Sequence, residues 1–158
     1  IPPFGFMTSI ILSSHTKALV LKQASRLAQQ DQNSENINVI TKRVSYKKSL
    51  ELAKQSNVCI IIEADAEISP FMPGKLADLI FLEKPILALT PKKSETLRIL
   101  GDAHKYHARV NDEDDILQTL LVLWNDWKNK NLKLEEHARL KDYISPKELN
   151  KAINRIIK

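Results

Sequence analysis

Between Ile62 and Pro73 the chain carries three acids on alternate positions, Glu63, Asp65 and Glu67, and the tripeptide Pro73-Gly74-Lys75 follows. Carboxylates so spaced could hold a divalent cation or act as a general base, although acids in a loop are more commonly just solvated. Pro-Gly-Lys at the opening of a helix suits an anion. Free backbone N–H groups and the positive end of the dipole point outward, Gly74 allows close approach to the backbone, and Lys75 adds a point charge. The plain alternative is a turn followed by an exposed lysine. Asp78 lies on the face of Lys75 at i,i+3, where it could accept both hydroxyls of a ribose or simply pair with the lysine. His104 and His107 have ligand-like spacing, yet they flank an expected edge strand and lack a third ligand nearby, so they read as solvent-exposed and no metal is expected. Trp124 and Trp127 sit at i,i+3 among leucines, a pattern of core or domain interface more than of base stacking.

These groups can converge only if the intervening elements hold them at one end of a sheet. Val58-Cys59-Ile60-Ile61-Ile62 has no polar interruption, as expected of a central parallel strand buried on both faces. Ile86-Leu87-Ala88-Leu89, closed by Thr90-Pro91, is a second such run. Ile10-Ile11-Leu12, Ile37 to Thr41 and Ala108 to Val110 are shorter candidates. Helical patterns run over Lys17 to Gln30, Tyr46 to Ser56, Lys75 to Leu82, Ser94 to Leu100 and Asp112 to Trp127, and a last helix opens with the capping box Ser145-Pro146-Lys147-Glu148. Alternation of this kind predicts an α/β domain, a doubly wound, mostly parallel, Rossmann-like sheet of about five strands with helices on both faces. Ligands of such sheets bind outside the carboxyl ends of the strands. The segment from Glu63 to Met72 is longer than the usual strand-to-helix loop of roughly 2–6 residues, which points to function.

Composition narrows the class. A chain of 158 residues with 43% hydrophobic and 27% charged residues and a mean hydropathy of -0.27 reads as one globular domain. Only 3 scattered glycines, Gly5, Gly74 and Gly101, leave no room for a dinucleotide fingerprint or a P-loop. The single Cys59 excludes an internal disulfide framework and suits a reducing compartment, so a cytoplasmic location is expected. A net charge of +5 mildly favours phosphates or anionic lipid without specifying nucleic acid, which is not expected as a partner. No apolar run is long enough to span a bilayer, and Ile1-Pro2-Pro3 lacks a signal peptide's basic start. A chain beginning without Met reads as a piece of a longer protein.

The stretches Arg43 to Ala53, Ser56 to Ile62, Phe71 to Ile80 and Lys84 to Pro91 resemble, in order and spacing over about residues 37–125, the carboxyl-terminal domain of retaining glycosyltransferases with two Rossmann-like domains (the GT-B type). The resemblance implies a donor-binding domain that helps move a sugar from a nucleoside diphosphate sugar to a glycan or lipid-linked acceptor. It implies no cofactor beyond that substrate. The acceptor would be held by an amino-terminal domain outside this chain, and the fragment alone would be inactive. It is also compatible with polysaccharide biosynthesis at the inner face of a membrane, with peripheral association of the full-length protein. Residue by residue, Val44 and Ser45 match the loop that frames the nucleobase, Gly74 and Lys75 fall beside the phosphates, and Asp78 occupies the position of the acid that holds the ribose. Glu67, Ser69, Phe71 and Met72 would form the donor sugar site or the cleft wall.

The sequence also departs from the family. The position eight residues before Asp78 is Pro70, so the first glutamate of the family's acidic pair is missing and Glu67 lies out of register. The glycine-rich first loop and the Arg/Lys pair on the diphosphate have no counterpart around Phe4 to His15, and no catalytic residue is assigned. Two other readings stay open. A receiver-like signalling module is suggested by Asp65 and the Pro-Gly, but Gly74 comes nine residues after Asp65, too far. A degenerate, non-catalytic partner domain is the other.

Overall fold

A computed structural model describes residues 8–10, 44–101, 103–133 and 137–157. The helix expected over Lys17–Gln30 and the strand over Ile37–Thr41 lie outside them. In chain order the elements are β1 (Thr8–Ile10), α1 (Tyr46–Gln55), β2 (Val58–Ile62), β3 (Ile68–Ser69), α2 (Gly74–Phe81), β4 (Ile86–Thr90), β5 (Lys93–Ser94), α3 (Glu95–Leu100), β6 (His107–Arg109), α4 (Glu113–Lys128), α5 (His137–Tyr143) and α6 (Pro146–Ile156).

The two uninterrupted apolar runs are neighbours. β2 and β4 pair in parallel, with Cys59 opposite Ile86 and Ile62 opposite Leu89. β1 flanks β2 and β6 flanks β4, also in parallel, so the described main sheet has the order β1-β2-β4-β6. β3 and β5, short segments of the loops after β2 and β4, form a separate parallel ladder that places Ser69 beside Ser94.

Because successive side chains of a strand point to opposite faces, each run splits between two cores. Cys59, Ile61, Ile86 and Ala88 pack with Ala53 of α1, Leu76, Leu79 and Ile80 of α2, Ile99 and Leu100 of α3 and Leu140 of α5. Val58, Ile60 and Leu87 pack on the other side with Tyr106 and Leu123 of α4. Helices therefore cover both faces of a parallel sheet, a Rossmann-like α/β arrangement.

Local signals place the helix starts. Ser45, Ser94, Asp112 and Ser145 each accept a hydrogen bond from a first-turn backbone N–H, satisfying a donor the helix cannot use. Pro73, expected as a first helical residue, is the extended residue that precedes α2.

Several details differ from the sequence reading. The first strand is Thr8–Ile10 in place of Ile10–Leu12, whose last two residues lie outside the description. Ile62 was expected inside, but it is 41% exposed while Ile61 is 4% exposed. It ends the strand, beyond the layer where Leu123 meets Val58 and Ile60. α5, whose position the sequence did not indicate, contributes Leu140 to the first core. Among the described residues no helix is long and apolar enough to cross a membrane.

Candidate functional site at the carboxyl ends of the strands

A helix that returns between parallel strands runs antiparallel to them, so α1 and α2 both begin at the end of the sheet where β2 gives way to Glu63. Two groups of side chains meet there.

The first group joins the start of α1 to the start of α2. The Tyr46 hydroxyl donates to Oδ1 of Asp78 at 2.7 Å. Lys75 Nζ lies 3.5 Å from Oδ2 of the same carboxylate and 5.0 Å from the centre of the Tyr46 ring. One carboxylate is thus held by a phenol and an ammonium that also stack on each other, a cation–π arrangement. The hydrogen bond to Asp78, then burial, then the charge of Asp78 raise the Tyr46 phenol above its usual pKa. Val44, Ser45 and Tyr46 are exposed, and the Ser45 hydroxyl is occupied in capping Lys48 N–H at 3.2 Å.

At the start of α2, Pro73 supplies no side-chain cap, and the first N–H groups of a helix have no partner within it. Gly74 is exposed, and a Cβ added there would meet nothing within 4 Å. Among the described residues nothing packs over this glycine, and the space over its backbone is open. Phe71, 80% exposed, and Met72 stand just before Pro73.

The second group is built on Glu63. It was expected as a loop acid, but the carboxyl end of β2 leaves it only 8% exposed. Its N–H donates to Leu89 O at 2.9 Å, continuing the β2–β4 ladder. Its Oε1 accepts from Ser94 Oγ at 3.1 Å and from the buried Thr96 hydroxyl. Its Oε2 is buried without a hydrogen-bond partner among the described residues. Ser94 also caps α3 through Leu97 N–H, so Glu63 ties the end of one strand to the loop and helix after the next. Asp65 and Glu67, by contrast, are exposed.

Beside this group, Thr90 Oγ1 lies 3.0 Å from His107 Nε2. Burial, followed by the neighbouring His104, lowers the pKa of His107, against opposing pulls from Asp115 and Glu63. His104 Nε2 lies 2.8 Å from Ile86 O. Both histidines are therefore half-buried and bonded, not the free surface side chains the sequence suggested. Trp124 and Trp127 are half-buried and stacked, with ring centres 4.9 Å apart. Among the described residues no group of three potential ligands could hold a metal ion.

A cavity of about 340 Å³ opens between the loops after β2, β4 and β6, lined among others by Asp65, Glu67, Lys92, Lys93, Arg109 and Asn111. Of the residues singled out from the sequence as binding donor, Glu67 lines it, while Gly74, Lys75 and Asp78 belong to the first group. Ser69 is half-buried in β3. Sequence reasoning missed Tyr46 and the partners of Glu63. Tyr46 directly follows the Ser45 cap, and Ser94-x-Thr96 presents two hydroxyls in a single turn, signals that gain meaning only once β2 and β4 are known to be adjacent.

No protein-family model matches the chain, and neither a curated protein nor a solved structure matches it.

Proposed function

We propose that this chain is the donor-binding domain of a retaining glycosyltransferase, taking a nucleoside diphosphate sugar at the carboxyl end of β2 with the acceptor held by a separate domain. The observation that carries the reading is the bond from Tyr46 to Asp78. It draws together the Val44–Ser45 loop, which the resemblance assigns to the nucleobase, and the acid it assigns to the ribose, although they are far apart in sequence.

In this reading the Asp78 carboxylate, already oriented by Tyr46, accepts the ribose hydroxyls on its remaining lone pairs. Lys75 is partly exposed and only loosely paired at 3.5 Å, so it turns toward the diphosphate. The diphosphate sits over the open backbone at Gly74 and draws on the positive end of α2. Catalysis in such a site is mainly positioning and stabilisation of the leaving diphosphate.

Titration of the chain with UDP and GDP, followed by amide NMR shifts, tests the proposal. Saturable binding near the millimolar range is expected, since few charge-assisted contacts are available and each such hydrogen bond contributes about 1.5–3 kcal/mol. Asp78→Ala should weaken nucleoside diphosphate binding about tenfold or more and spare inorganic diphosphate, while Lys75→Ala weakens both. Absence of saturable binding, or unchanged binding by Asp78→Ala, would overturn the assignment and favour a structural partner domain.

A further inference from the structure

α6 is an amphipathic helix whose apolar side nothing covers among the described residues. Leu149, Ile153 and Ile156 recur at helical spacing, and Ile157 follows directly, so they share one face. All four are exposed, Ile156 at 83%, and none belongs to either core. Among the described residues the contacts that fix the helix lie at its start. Ile144 packs on the first core, the Ser145 hydroxyl accepts from Glu148 N–H at 3.3 Å, and Pro146 occupies the first turn. A helix of 11 residues gains little from its own hydrogen bonds. Its exposed aliphatic face is what a second surface would bury.

The polar face indicates which surface. Lys147, Lys151 and Arg155 stand against a single acid, Glu148, whose carboxylate is already engaged by Lys151. We propose that α6 lies in the plane of an anionic lipid surface, with Leu149, Ile153, Ile156 and Ile157 entering the acyl boundary and the three cations reaching lipid phosphates. A strongly two-sided helix of low overall hydrophobicity and cationic polar face is the kind that binds there. Long Lys and Arg stems extend along the apolar boundary while their heads remain in the headgroup layer. A protein groove is the weaker fit, because the apolar face is aliphatic throughout and lacks the aromatic anchors that dominate protein interfaces. The net charge of +5 acts in the same direction. The inference is independent of the donor reading.

The test is sedimentation of the full chain with vesicles of phosphatidylcholine alone and of phosphatidylcholine mixed with phosphatidylglycerol. Binding is expected only to the mixed vesicles and should fall as salt is raised. Ile153→Asp combined with Ile156→Asp should abolish it with the circular dichroism of the domain retained, since neither side chain is in a core. Lys147→Gln, Lys151→Gln and Arg155→Gln should each weaken it roughly fivefold. Failure to bind the mixed vesicles, binding that the double variant leaves intact, or a dimer in solution that the double variant dissociates would overturn the proposal, the last by assigning the face to a second copy.

Discussion

The hydroxyl of Tyr46 and the carboxylate of Asp78 meet at 2.7 Å, joining the first residue of α1 to the second turn of α2. The phenol pKa is raised chiefly by this bond, so removing the acceptor must lower it. Asp78→Ala should move the Tyr46 titration, followed by NMR of the labelled ring, down toward the usual value near 10. Because Tyr46 is exposed, Tyr46→Phe should change stability by no more than about 0.5 kcal/mol. A phenol that titrates identically in both proteins would mean that the bond does not persist in solution.

Ile61 and Ile62 should respond oppositely to the same substitution. Ile61→Asp places an unpaired charge in the first core, a change of several kcal/mol against a total stability of about 5–15 kcal/mol, and should unfold the domain. Ile62→Asp should fold, with a loss of about 1 kcal/mol or less. Urea denaturation of the two variants measures the contrast, and equal losses would contradict the exposure of Ile62.

Glu63 is held by two hydroxyl donors, Ser94 and Thr96. Glu63→Ala leaves both without their acceptor and should cost about 2–3 kcal/mol. Glu63→Gln retains an amide oxygen for them but puts an NH2 group at the buried position of Oε2, so its loss should be smaller than that of Glu63→Ala without vanishing. The order of melting temperatures in calorimetry decides. A glutamine variant as unstable as the alanine variant would contradict the two hydroxyl bonds as the source of the stability.

Cys59 should resist thiol reagents in the folded chain. Burial pushes its pKa up to about 11, with the nearby Lys84 only partly opposing, and only the thiolate attacks. Its reaction with a disulfide reagent should be far slower at pH 8 than in denaturant, and should quicken as the pH rises toward 11. Rapid labelling under native conditions would place the side chain at the surface.

That β2 and β4 are strands was legible because Val58–Ile62 and Ile86–Leu89 are apolar without interruption, the pattern of a strand covered on both sides. The start of α6 was legible because Ser145 opens a capping box. Lys75 and Asp78 were legible as a pair, since i,i+3 spacing within a helix is fixed by its geometry. The partners that complete the groups were not. Tyr46 reaches Asp78, and Glu63 reaches Thr96, across distances in sequence that only the register of the sheet closes. Glu63 looked like its neighbours Asp65 and Glu67, and burial separates it from them only because the strand ends one residue earlier. The position of α5 was missed because a helix of 7 residues carries too short a pattern to stand out from a linker.

The order β1-β2-β4-β6 also bears on how the chain is made. Each strand of the described sheet pairs with the one before it in the order of synthesis, separated from β2 to β4 to β6 by a single main helix. Among the described strands, β4 and then β6 can therefore add to one side of β2 as the polypeptide emerges from the ribosome. The growing margin ends in β6, only 3 residues long and closed by Arg109. A short, charged last strand offers little to a neighbouring chain, so vectorial assembly finishes on a margin that resists aggregation.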